Sequence, residues 1–154
     1  MGEAIRHFDV DLDWRGAVGT AVMSGVRTPI VGAGVGSLSG EPCGWNPEEL
    51  LLGALGLCLM RTFETLARRE GLHVAHCRSR IEVALGPTPY GTNAKLGFTL
   101  LTAHVEVAVY PRDVSRARDL VVQAKQFCVV ANALMPPVHL ELEVEAVQPV
   151  AVGN

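Results

Sequence analysis

Apolar and polar side chains alternate in four stretches of the chain, and this period of two predicts half-buried β-strands. In residues 8–14 the apolar side chains occupy the even positions and acidic side chains occupy odd ones. Shorter segments at 20–23 and 27–31, set off by glycines, complete a predicted antiparallel meander of three strands. The other alternating stretches are residues 77–85, 101–109 and 138–146.

The predicted meander is followed by a segment with the features of a helix start. Asn46 can cap the first free amides, and Pro47 suits the first helical position. Glu48 and Glu49 place negative charge at the positive end of the helix dipole. Gly71 marks the expected end of the helix. The sequence therefore predicts one long helix between the two groups of strands.

Residues 50–60 of this helix carry no charged side chain, so we expect the helix to be buried on every side there. The run is too short for a membrane span of about 20 residues, because Arg61 and Glu64 follow it. Gly53 and Gly56 cost helix stability, which is explained if a second long helix packs closely against them. One small sheet cannot cover every face of such a helix, so the sequence predicts a homodimer.

A second helix is predicted before the last strand. From Asp113 or Ser115, apolar residues recur at helical spacing, with Cys128 on the apolar face, and Pro136 and Pro137 end the helix. The predicted order is βββ-α-ββ-α-β, with antiparallel hairpins rather than the crossovers of a parallel sheet. The predicted fold class is therefore α+β, an antiparallel sheet wrapped on two long helices. With 49% hydrophobic residues, we expect a single domain over residues 1–154.

Charge and composition argue against several classes of function. The net charge is −3, and the 11 arginines are scattered without a basic stripe, which argues against a nucleic-acid partner. The first residues lack the apolar segment of an export signal, so we expect a cytoplasmic protein without a membrane partner, whose four cysteines stay reduced. Neither the cysteine spacing nor the histidines predict a metal site. The histidines considered are His73, His76, His104 and His139.

Two motifs on the predicted helices resemble those of a known family. The first is NPEELL at residues 46–51, with Cys58 farther along the same helix. The second is CVVANAL at residues 128–134. In this order, and with the same pattern of strands and helices between them, they resemble the osmotically inducible protein C / organic hydroperoxide resistance (OsmC/Ohr) family. The resemblance implies an OsmC-like intertwined homodimer.

The resemblance also implies a thiol-dependent peroxidase that reduces alkyl or fatty-acid hydroperoxides. It assigns Cys58 as the cysteine that is oxidised to a sulfenic acid, and Cys128 as the resolving cysteine of a Cys58–Cys128 disulfide. An external dithiol such as a lipoyl group would reduce this disulfide, and no bound cofactor is implied. The leucines around Cys58, together with Phe127, are expected to form an apolar pocket for the peroxide.

Burial disfavours a thiolate, so we expect a cation close to Cys58. The resemblance implies an arginine from the N-terminal part of the chain, held by Glu48. Arg27 is the candidate for this cation, and Arg15 is the alternative. Glu48 precedes Cys58 by about 15 Å along a straight helix, so it reaches the sulfur only if the helix breaks or a dimer partner supplies it. Glu48 has a second interpretation as a first-turn acid that serves the helix dipole.

Departures from the family pattern keep a second hypothesis open. Cys128 is followed by Val129 and Val130, where peroxidase members have Cys-Pro and a serine-containing turn. A cysteine on an apolar helix is also an ordinary small hydrophobe. The alternative is a noncatalytic OsmC-like dimer that binds a small apolar ligand. Cys43 and Cys77 have no predicted role.

Overall fold

The structure is a computed structural model that describes residues 11–14, 20–23, 30–32, 44–87 and 96–147. The chain divides into two compact units, residues 1–51 and residues 52–154, and each unit is described by itself. The assignment of one domain to the whole chain stays a prediction.

The first unit contains the predicted meander. Its strands are β1 (Asp11–Trp14), β2 (Thr20–Met23) and β3 (Ile30–Gly32). They pair antiparallel in the order β1-β2-β3. The meander is thus confirmed, and residues 8–10 of the predicted first strand and residues 27–29 of the predicted third strand lie outside the described residues.

The long helix α1 (Pro47–Arg69) begins and ends where the sequence predicts. At its start the backbone N–H of Asn46 donates a hydrogen bond to Glu49 Oε2 at 2.9 Å, which is one half of a capping box. At its end Gly71 has φ +63°. Glycine adopts this left-handed geometry without strain, so it terminates the helix as expected.

The second unit holds a mixed sheet of three strands in the order β4-β5-β6. These are β4 (Val74–Pro87), β5 (Leu96–Val109) and β6 (Val138–Ala146). β4 is antiparallel to β5, but β6 is parallel to β5, so the prediction of a purely antiparallel sheet is wrong. The reason is the long connection from β5 to β6, because a crossover through helices delivers the next strand in the parallel direction.

This connection contains two helices instead of the single one that was predicted. After a 3₁₀ turn at Pro111–Asp113, α2 (Val114–Phe127) ends just before Cys128, and α3 (Val129–Ala133) begins just after it. Cys128 itself has an extended backbone, with φ −71° and ψ 107°. The prediction of an unbroken second helix is therefore wrong, and the break coincides with a candidate functional residue.

The core of the second unit lies between one face of the sheet and the helices. The alternation predicted for β5 is confirmed, because its odd positions from 101 to 109 are buried while His104 and Glu106 are not. Each buried Val, Leu or Phe side chain contributes roughly 1.5–3 kcal/mol. The helices contribute Leu55, Leu59, Phe63 and Ala67 from α1 and Ala117, Leu120, Val121 and Ala124 from α2.

The expectation that α1 is buried on every side is wrong within one chain. Its buried residues form one stripe, and Leu57 is 60% exposed. A Cβ added to Gly56 would lie 3.3 Å from side-chain atoms of both Ser79 and Ile81, so the close neighbour of this glycine is strand β4 and not a second helix. A Cβ added to Gly53 would meet nothing within 4 Å. The homodimer stays a prediction.

By length and composition alone, α1 would suffice to cross a membrane. The core helix of a soluble protein meets the same criterion. In this chain Leu55, Leu59 and Phe63 of α1 pack in one cluster with the sheet. The packing agrees with the sequence prediction of a core helix.

Candidate functional site

Cys58 lies on one flank of the buried stripe of α1. Its neighbours Leu55 and Leu59 are 1% and 2% exposed and anchor this part of the helix in the core. Cys58 itself is half-buried, so its sulfur stands where the core meets the surface. Thr62 lies one turn farther on, and its hydroxyl donates a hydrogen bond to the Cys58 carbonyl oxygen at 2.8 Å.

Cys128 marks the break between α2 and α3 and is fully buried. Its Sγ accepts a hydrogen bond from the backbone N–H of Ala131 at 3.4 Å and thereby caps the N-terminus of α3. Val129 and Val130 follow directly, and β-branched side chains are weak helix formers. The sequence contains neither glycine nor proline at this point, so the usual signal of a helix break is missing.

The break turns the first amides of α3 toward Cys58. The pKa of Cys58 is lowered from its ordinary value although burial, the largest single influence, raises it. Hydrogen bonds from the Val130 N–H, the Cys128 thiol and the Val129 N–H together outweigh the effect of burial. The Thr62 side chain lowers the pKa of Cys58 least. Cys58 therefore ionises more readily than an ordinary cysteine.

Cys128 responds in the opposite direction. The pKa of Cys128 is raised to about 11. Burial is the largest cause, the hydrogen bond and negative charge of Cys58 act in the same direction, and the Ala131 and Val130 amides oppose them. The two thiols are therefore unequal. Of the two thiols, Cys58 therefore loses its proton first, and Cys128 remains the protonated donor.

The predicted site residues are only partly brought together. Cys58 and Cys128, 70 positions apart in the sequence, lie close enough that each shifts the pKa of the other. Glu48 lies exposed in the first turn of α1, and the capping contact there is made by Glu49. Arg27, Arg15 and Cys43 lie outside the described residues. The roles assigned to Glu48 and the arginines stay predictions.

The sequence predicted a cation near Cys58 and did not indicate the uncharged groups that stabilise its thiolate. Among the described residues, the groups that lower the pKa of Cys58 are uncharged hydrogen-bond donors. Two of them are backbone amides, of Val129 and Val130, which no side-chain motif could have indicated. Thr62 had a weak sequence signal, because a residue four positions after Cys58 lies on the same face of a helix.

Among the described residues, the leucines around Cys58 do not share one pocket, and the pocket at the sulfur stays a prediction. Leu55 and Leu59 point into the core, whereas Leu57 lines a cavity of about 490 Å³ that neither Cys58 nor Cys128 lines. The other lining residues are Met60, Arg61, Phe63, Glu64, Ala67, Arg68, Leu72, Val74 and Cys77. Burial raises the pKa of Cys77, which makes it a less reactive thiol than Cys58.

Exposed apolar side chains occur at the helix break. Phe127 and Val129 flank Cys128 in the chain and are 63% and 75% exposed. Large apolar side chains at such exposure offer a surface on which a hydrocarbon chain can be buried.

His104 lies on the outer face of the sheet between two carboxylates. Its Nδ1 is 2.9 Å from Glu141 Oε2, and its Nε2 is 3.3 Å from Glu82 Oε2. The carboxylates approach opposite sides of the ring and do not converge on one point. Within the described part of the chain, no group of three His, Cys, Asp or Glu side chains is arranged to hold a metal ion.

Comparison with known proteins connects this site to a family. Residues 39–143 match the family of OsmC-like proteins. This range includes helices α1, α2 and α3 together with Cys58 and Cys128. The chain belongs to the OsmC-like family. The resemblance stated from the two sequence motifs is thereby confirmed.

Relatives of this OsmC-like chain share its fold at low sequence identity. YmaD of Bacillus subtilis, an uncharacterized protein, is 27% identical over 143 residues, which cover 91% of this chain and 94% of YmaD. An OsmC-like protein of unknown function from Vibrio cholerae has a TM-score of 0.76 at 15% identity, over 90% of this chain and 99% of that one. An organic hydroperoxide resistance protein OsmC from Legionella pneumophila has a TM-score of 0.64 at 22% identity, over 93% and 99%. These structures establish the α+β OsmC-like fold.

Proposed function

We propose that this OsmC-like protein is a thiol-dependent peroxidase that reduces organic hydroperoxides through Cys58 and Cys128. The observation that carries the proposal is the pair of neighbouring thiols, on α1 and at the break between α2 and α3, whose pKa values are shifted in opposite directions. The lowered pKa of Cys58 suits the attacking cysteine, and the raised pKa of Cys128 suits a partner that stays protonated until needed.

The chemistry of the proposal balances in two steps. The Cys58 thiolate attacks the distal oxygen of the hydroperoxide, the O–O bond breaks, and Cys58 becomes a sulfenic acid while the alkoxide leaves and takes a proton from water. The Cys128 sulfur then attacks the Cys58 sulfur, and its proton combines with the departing hydroxide to form water. The sulfurs must approach to about 2.05 Å in the disulfide, and the mutual effect of the two thiols on their pKa values supports their being neighbours already.

The remaining parts of the proposal follow the family resemblance. An external dithiol, a lipoyl group for example, reduces the Cys58–Cys128 disulfide and returns the protein to its starting state. The protein acts in the cytoplasm as a homodimer, and a partner subunit brings Glu48 and an arginine, Arg27 or Arg15, to the site. The amides of α3 support Cys58 ionisation together with this cation.

An apolar surface at the sulfur predicts a preference among peroxides. Hydrogen peroxide loses hydrogen bonds to water on approaching Phe127 and Val129, at about 1–3 kcal/mol per unsatisfied group. An alkyl chain recovers roughly 0.8 kcal/mol for each methylene it buries. We expect the oxidation rate of Cys58 to rise from hydrogen peroxide to a short alkyl hydroperoxide to a fatty-acid hydroperoxide, by about tenfold for each 1.4 kcal/mol of added transition-state binding.

The test is a thiol titration before and after one equivalent of an alkyl hydroperoxide. We expect the loss of two thiols per chain, and peptide mapping should locate the new disulfide between Cys58 and Cys128. The Cys77→Ser variant is the matched control and should behave as the wild type. Stopped-flow oxidation with the three peroxides gives the order of rates. Equal rates at the pace of an ordinary free thiol would refute the peroxidase.

The apolar cavity beside α1 supports one alternative, a noncatalytic dimer that binds a small apolar ligand. The cavity is about 490 Å³, large enough for a small ligand, and is separate from the thiol pair. The alternative predicts no loss of thiols with peroxide. It also predicts that an apolar fluorescent probe binds the wild type and is excluded by Met60→Trp, which fills the cavity.

A further inference from the structure

One side chain spans the break between α2 and α3. Asn132 Nδ2 donates a hydrogen bond to the carbonyl oxygen of Gln126, in the last turn of α2, at 2.9 Å. The backbone N–H of the same Asn132 donates to the carbonyl oxygen of Cys128 at 3.0 Å. Asn132 is thus bonded to α2 on one side of the break and to the break residue itself on the other.

Two other hydrogen bonds at the break are weak. The Cys128 N–H donates to the Lys125 carbonyl at a long 3.3 Å, and the Ala131 N–H donates at 3.4 Å to Cys128 Sγ, which is a weak acceptor. A helix of five residues such as α3 is too short to be stable by itself in water. Val130 and Ala131 pack against the core and hold α3 to the protein, but apolar contacts are not directional and leave its orientation to be set by hydrogen bonds.

We propose that Asn132 is a positioning residue, whose bridge to Gln126 orients α3 so that the Val129 and Val130 amides and the Cys128 thiol face the Cys58 sulfur. The inference rests on the proposed function only in that Cys58 is the thiol whose reactivity matters. Asn132 touches neither the sulfur nor a substrate. It acts by fixing the direction of the groups that do.

The test is the pH dependence of Cys58 alkylation by iodoacetamide in the reduced, full-length protein, with peptide mapping to separate Cys58 from the other cysteines. For Asn132→Ala we expect the alkylation rate at neutral pH to fall about threefold or more and the midpoint of the profile to move to higher pH, because half a pKa unit changes the thiolate-to-thiol ratio about threefold. The matched control is Gln126→Ala, which removes a neighbouring side chain but keeps the accepting carbonyl. Its profile should equal that of the wild type.

A merely structural Asn132 would give a different result. Asn132→Ala would then melt at a lower temperature while its alkylation profile matched the wild type, and this outcome overturns the proposal. If Asn132→Ala does not fold, Asn132→Ser, whose side chain is too short to span the break, replaces it with the same expectations. Alkylation requires no peroxide, so a wild type that reduces no hydroperoxide would refute the proposed function, while the shift in Asn132→Ala would still establish the positioning role.

Discussion

Replacing Val129 by proline would remove one hydrogen-bond donor to Cys58, a backbone N–H, and would leave every polar side chain near the sulfur unchanged. The Val129 backbone N–H is one of the groups that lower the pKa of Cys58, and proline at this position has no N–H. Val129 is the first residue of α3, a position where proline is favoured. Cys128, the preceding residue, already has the extended backbone that a following proline requires. Val129→Pro should therefore fold normally.

The expected loss can be worked from the hydrogen bond itself. A hydrogen bond to a charged group contributes about 1.5–3 kcal/mol. Cys58 is only half-buried, so solvent screens the interaction and we discount it to roughly 0.5–1.5 kcal/mol. The pKa of Cys58 should rise, and reactivity at neutral pH should fall about two- to tenfold, since each 1.4 kcal/mol is a factor of ten. The Val130 amide and the Cys128 thiol remain, so reactivity should not be lost altogether.

The assay is the rate of Cys58 oxidation by one alkyl hydroperoxide between pH 5 and pH 9, followed by stopped flow. Val129→Ala is the control, because it removes the same exposed apolar side chain but keeps the N–H. We expect the pH midpoint to rise in Val129→Pro and to stay unchanged in Val129→Ala. A folded Val129→Pro with the wild-type midpoint would refute the view that backbone amides activate Cys58. An equal shift in both variants would assign the effect to the side chain instead.

Three further predictions concern the second thiol and the packing of α1. In Cys128→Ser the first oxidation should persist but turnover should stop, and a sulfenic-acid probe should label Cys58; a disulfide from Cys58 to Cys77 would reassign the resolving role. The pKa of Cys128 is raised from 9.0 to about 11 in the folded protein, so this thiol ionises first in the unfolded chain. The reduced protein should therefore lose up to about 2 kcal/mol of unfolding free energy as the pH rises from 9 to 11. Urea titrations of Cys128→Ser should show a smaller loss. Gly56→Leu should cost about 1–3 kcal/mol of unfolding free energy by overpacking against β4. Gly53→Leu meets no obstacle within the chain, so it should raise the unfolding free energy by about 0.5–1 kcal/mol through helix propensity and lower the dimer fraction in sedimentation. A wild type that sediments as a monomer at micromolar concentration would contradict the dimer.

The sequence alone determined the elements whose causes are local. The period of two on β5, with Leu101 to Val109 facing inward, is set by which side chains leave water, and the structure keeps it. The bounds of α1 follow from Asn46, Pro47 and Gly71, because caps act within one turn of the helix end. The two motifs around Cys58 and Cys128 likewise sufficed to identify the family.

Only the tertiary structure decided the features that depend on distant partners. A parallel and an antiparallel β6 present the same alternation of side chains, so the direction became evident only from its pairing with β5. Leu55, Leu57 and Leu59 are chemically alike, and their separate surroundings follow from the rotation of α1 against the sheet. The donors at Cys58 include the backbone amides of Val129 and Val130, which every residue except proline possesses, so no residue type could announce them. A sequence records side chains, whereas the direction in which a backbone N–H points is settled when α3 packs against its neighbours.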